Sequence, residues 1–194
     1  MHGFTRALSI GAIALTFALA GCASAGQGPG SPTASEAGAT ANAADEMFAS
    51  MMIPHHQQAV EMADTMLGKD GADEAVLDLA QRIRDAQQPE IELMQGWLEA
   101  WGVEAGDAGH GGHGGAGGDG MMSEEDMAAL EQAEGAEASR LFLEQMIVHH
   151  QGAVEMAEAE LDGGQHPDAL ELAQQVIDAQ TAEIAEMQEL LAAL

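Results

Sequence analysis

The chain has one cysteine, no tyrosine, two tryptophans and five basic residues among its 194 positions. A single cysteine excludes an internal disulfide and a thiolate metal cluster. Five Lys and Arg stand against 33 Asp and Glu, for a formal net charge of −28. A surface so short of positive charge repels nucleic acid and anionic lipid headgroups and leaves cations as the partners it favours. No segment shows the alternating, β-branched pattern of a strand. There is no phosphate-binding glycine loop and no nucleophile paired with a base, so the sequence presents no catalytic apparatus.

The beginning of the chain reads as a leader. Arg6 precedes a small apolar run, Ala7 to Ala20, which is too short for a stable membrane span. It ends in Leu-Ala-Gly-Cys, residues 19–22, which resembles a bacterial lipoprotein box. The expectation is a signal peptide over residues 1–22 and a membrane anchor through lipidated Cys22. An ordinary secretory signal with a coincidental cysteine is the alternative. Residues 23–44 are small, polar and aperiodic, as in a flexible tether. The bundle domain is expected over residues 45–194.

What the chain does have is an internal repeat. MIPHHQQAVEMA, Met52 to Ala63, returns as MIVHHQGAVEMA, Met146 to Ala157, with ten of twelve positions identical. LAQRIRDAQQPEIELMQ, from Leu79, returns as LAQQVIDAQTAEIAEMQ, from Leu172. Apolar residues recur at helical spacing throughout both copies, so each half, 45–101 and 136–194, reads as two amphipathic helices joined by a short loop. The fold class is all-α: a four-helix bundle made of two duplicated hairpins. Pro54 and Pro89 fall inside helices, where each removes a backbone hydrogen bond and predicts a bend. A Gly/His-rich linker, 102–122, joins the halves, and a short extra helix, 123–133, follows it, opened by a capping sequence at Ser123.

Two adjacent histidines bracketed by methionines are the candidate site. At about 100° per residue, Met52, His55, Ala59 and Met62 share the apolar face, with His56 beside it. Met146, His149, Ala153 and Met156 repeat the arrangement, with His150 beside it. If pseudo-twofold symmetry brings the faces together, imidazoles and thioethers converge at mid-bundle. Soft thioethers with borderline imidazoles favour copper, Cu(I) over Cu(II), and disfavour oxygen-seeking cations. A second repeated element carries Gln87, Glu90 and Met94, then Gln180, Glu183 and Met187; these are candidates to support the histidines from behind or to add ligands. His110 and His113 in the linker are weaker candidates for metal. The competing reading is that the methionines are core packing and the histidines a buried polar network. A di-iron centre needs Glu-x-x-His, and Met52 and Met146 occupy those Glu positions, although Glu90 and Glu183 keep that reading open.

The repeated M-I-x-H-H-x-x-A-V-x-M-A, followed by L-A-x-x-I-x-x-x-Q-x-x-E-I-x-x-M, resembles the bacterial domain-of-unknown-function family numbered 305. The resemblance covers roughly Asp45 to Trp101 and Arg140 to Leu191. It implies a ferritin-like fold, and the described function of some members implies periplasmic copper binding tied to resistance. Carried over by position, the implied His and Met ligands are Met52, His55, His56, Met62, Met146, His149, His150 and Met156. The expected function is therefore an extracytoplasmic, lipid-anchored copper protein for sequestration, delivery or resistance. A helical interaction module that binds no metal is the alternative, and a di-iron or redox enzyme the third reading.

Overall fold

Among the described residues, five helices follow from the sequence pattern. They are α1 (Ala43–Leu67), α2 (Glu74–Trp101), α3 (Glu124–Gln132), α4 (Gly135–Gly163) and α5 (Pro167–Ala193). The computed structural model describes residues 40–103 and 119–194. Cys22, His110 and His113 therefore lie outside the described residues. Among the described residues no helix is long and apolar enough to cross a membrane.

α1 packs on α2 and α4 on α5, so each half is a helical hairpin; α1 and α4 then join the halves. Short connections force the two helices of each hairpin to run antiparallel. α1 opens at Ala43, two residues inside the stretch expected as tether. The reason is Asn42, whose side chain accepts from the amides of Ala44 and Asp45 while Asp45 reaches back to the Asn42 amide, a complete capping box. α1 and α2 continue uninterrupted through Pro54 and Pro89. α5 begins at Pro167, where a missing amide hydrogen is harmless.

The pseudo-symmetry is visible in paired contacts. The Asp45 carboxylate accepts from the backbone amide of His166 (2.8 Å), which caps α5. At the equivalent place, the Ser139 hydroxyl accepts from the amide of Asp73 (2.9 Å), which caps α2. Each half thus ties the start of its first helix to the loop of the other half.

α3 breaks the symmetry. It lies against α1 and α4 on one side of the bundle, where Leu130 is fully buried. Gln145 donates to the Asp126 carbonyl (2.9 Å) and fixes α3 on α4. Among the described residues, the symmetry-related groove on the other side stays open as a cleft of about 510 Å³ between α1 and α4.

A candidate metal centre at the bundle waist

The apolar core is split in two. One cluster joins Met62, Met66, Leu79, Ile83, Phe142, Met146 and Met187. The other joins Phe48, Met52, Ile91, Met94, Ala153, Leu172 and Val176. The four motif histidines belong to neither cluster, and each is at most 1% exposed. The alternation within each His-His pair explains the arrangement: successive residues diverge by about 100° on a helix, so His55 and His149 turn inward toward one another. His56 and His150 turn toward the second helix of their own hairpin.

The rings of His55 and His149 meet with centroids 3.7 Å apart and planes tilted by 35°. His56 Nε2 lies 2.7 Å from Glu90 Oε2, and His150 Nε2 lies 2.7 Å from Glu183 Oε2. A carboxylate only accepts, so each of these imidazoles donates from Nε2, and its neutral tautomer has a bare Nδ1. His55 Nε2 lies 3.0 Å from the Asp119 carbonyl and donates to it, leaving its Nδ1 bare as well. The Nδ1 atoms of His55, His56 and His150, and both ring nitrogens of His149, are buried without a hydrogen-bond partner. An unpartnered buried polar atom costs about 1–3 kcal/mol, and five such atoms in one layer are hard to reconcile with a purely structural role. Burial drives the His55 imidazole down to about 3, with His56 nearby adding to the effect. Burial, then His55, pushes His149 well below the usual histidine range. Both are neutral at physiological pH and present lone pairs rather than charge.

The remaining sequence candidates divide. Met52, Met62, Met94, Met146 and Met187 are fully buried, in the clusters above and below the histidine layer. Met156 is partly buried against the second cluster and lines the open cleft, so it is not sealed in the core as its repeat partner Met62 is. Glu90 and Glu183 hold His56 and His150. Gln87 and Gln180 are buried, and the Oε1 atom of each lacks a partner. Among the described residues no three His, Cys, Asp or Glu side chains converge so as to hold a metal ion. A hard-ligand set of the di-iron kind is therefore not assembled, and an ion at this waist would have to draw on thioethers.

Sequence reasoning missed two features. The Asp119 carbonyl that fixes His55 comes from the end of the glycine-rich linker, and it fits only because residue 152 is glycine: a Cβ there would overlap that carbonyl. The signal was one of the two mismatches in the repeated motif, Gly152 where the first copy has Gln58. The second is Glu160, buried beside Asp45 where the first copy has Met66.

Comparison with known proteins bears on this arrangement. The family described as Domain of unknown function (DUF305) matches residues 45–191. A DUF305 fragment from Deinococcus radiodurans is 32% identical, with a TM-score of 0.69, covering 79% of this chain and 99% of that one. A DUF305 protein from Streptomyces coelicolor, predicted to be secreted, is 33% identical, with a TM-score of 0.71, covering 77% and 91%. CopM in its Cu(I)-bound form is 32% identical, with a TM-score of 0.62, covering 77% and 96%. CopM is also known in Cu(II)-bound and Ag-bound forms. No curated protein matches the chain.

Proposed function

The chain belongs to the DUF305 family, and on that premise we propose that it is an extracytoplasmic copper-binding protein that holds Cu(I) between its two His-Met motifs. The observation that carries this reading is the layer of four buried imidazoles with unpartnered ring nitrogens, His55 and His149 among them neutral, bounded on both sides by buried thioethers. Such donors suit a soft monovalent ion and give a hard cation nothing to prefer. At any one ion no more than two of the imidazoles of His55, His56, His149 and His150 would ligate, with Met52, Met62 and Met146 as the thioethers within the core. Glu90 and Glu183 then serve as outer partners that fix the tautomer of His56 and His150. The likeness to CopM, solved with Cu(I), Cu(II) and Ag, supports the choice of metal. The leader and Leu-Ala-Gly-Cys sequence support export and anchoring through Cys22. With no catalytic constellation in the sequence, the role that fits is sequestration or delivery.

The test is an anaerobic Cu(I) titration of the full chain against a competing chelator. It is repeated on a variant with His55, His56, His149 and His150 changed to Ala, and on the single variant His149→Leu, with circular dichroism to confirm folding. The proposal expects tight binding by the parent and its loss in a folded variant. Equal binding by parent and folded variant contradicts it.

A further inference from the structure

The cleft between α1 and α4 is not used by the waist site, and its lining is unlike that of its symmetry mate. Met47, Met51 and Met156 line it together with Glu160 and the Asp119 backbone. At the repeat-equivalent positions the other groove carries Leu141, Gln145, Met62 and Met66. That groove lies under α3, with Met62 and Met66 fully buried and Gln145 bonded to α3. Duplication therefore accounts for Met156 but not for Met47, Met51 or Glu160.

Met47 and Met51 are 55% and 39% exposed, although an apolar side chain this large gains stability from burial. They stand four residues apart on α1 and so lie on one helix face. Glu160 is only 2% exposed, and its carboxyl lies against that of Asp45. The cleft also touches the waist: Asp119, in its wall, is the residue whose carbonyl accepts from His55.

We propose that this cleft is a second soft-metal site, built from the thioethers of Met47, Met51 and Met156, which receives Cu(I) or Ag(I) before the ion reaches His55 and His149. The proposal rests on the waist reading for its destination, but not for the site itself. An ion cannot approach the histidines from solvent directly, because every one of them is buried. A half-open thioether cleft beside that layer offers exchangeable ligands at the surface. The acidic surface, including Glu155 at the rim, concentrates cations there.

The experiment uses the full chain labelled with ¹³C at the methionine methyl groups, titrated with Ag⁺, and the double variant Met47→Leu/Met51→Leu. Both substituted side chains are exposed, so the fold should tolerate the change. The expected result is that the methyl signals of Met47, Met51 and Met156 shift first and still shift in a His55→Ala/His149→Ala variant. In Met47→Leu/Met51→Leu, filling of the histidine site should slow by roughly tenfold, about 1.4 kcal/mol in barrier, at unchanged final occupancy. Shifts confined to Met52, Met62 and Met146 would overturn the cleft site and leave the waist site standing. No methionine shift at all would overturn both. Cleft shifts without any slowing of histidine filling would overturn the order of transfer.

Discussion

The imidazoles of His55 and His149 face one another at 3.7 Å between centroids, one from each half of the duplicated chain. Two charged imidazoles could not occupy that place, and burial keeps both neutral. The core therefore contains lone pairs where a packed bundle would contain methyl groups. Stability is given up at the waist, and the predictions below follow from where.

His149 has no partner on either ring nitrogen and no exposure. Replacing it with Leu, of similar volume, should stabilise the metal-free chain by about 1–2 kcal/mol, because an unsatisfied polar group is removed. The same change should weaken Cu(I) binding. Urea denaturation and chelator competition on one variant check both halves of the statement. A destabilised His149→Leu would show that the ring makes a favourable contact now unaccounted for.

In the proposed site, Glu90 and Glu183 act on the metal only through His56 and His150. Glu90→Ala frees the His56 ring and its tautomer, and the expected loss of Cu(I) affinity is roughly 10–100-fold. Glu90→Gln keeps an acceptor and should lose less. Glu183→Ala should match Glu90→Ala, since the two contacts are equal at 2.7 Å. Competition titrations of the three variants would show whether that ranking holds.

Two glycines in helices should respond in opposite directions. Gly96 has open space where a Cβ would go, so Gly96→Ala should stabilise α2 by about 0.5–1 kcal/mol. Gly152→Ala collides with the Asp119 carbonyl and should destabilise by roughly 1–3 kcal/mol. It should also free the His55 Nε2 hydrogen bond. Thermal melts of the pair provide the comparison.

Glu160 gives the metal-free protein a pH dependence. Burial, then the neighbouring Asp45 carboxyl, raises it from 4.5 to about 8. Asp45 is itself held low, against its own burial, by the amides of Asn42 and His166, by Glu160 and by the Gln165 amide. A raised folded value means that the folded chain keeps a proton the unfolded chain has lost. The contribution is complete below pH 4.5 and is lost as pH rises through 8. Denaturation midpoints should fall between pH 5.5 and 8.5, and Glu160→Gln should flatten that slope. An unchanged slope in Glu160→Gln would assign the dependence to other groups.

The hairpins were legible in the sequence because helical period and repeat point the same way. Ser123 and Pro167 open their helices where capping rules put them, and α1 and α2 run through Pro54 and Pro89. The inward direction of His55 followed from its angle to Met52. The pairing of His56 with Glu90 required knowing how α2 sits on α1, which no single-helix projection supplies. The Asp119 contact was hidden because it uses a backbone carbonyl, which leaves no side-chain signature. Met156 differs from Met62 only because α3 covers one groove. That is a tertiary fact, invisible in two motifs that share ten of twelve positions.

The most direct measurement is Cu K-edge X-ray absorption on the full chain loaded with one equivalent of Cu(I), alongside the His55→Ala/His149→Ala variant. The account predicts a mixed shell of imidazole nitrogen and thioether sulfur, with the imidazole contribution lost in the variant. A shell of oxygen alone, or one identical in parent and variant, would contradict a copper site at the waist.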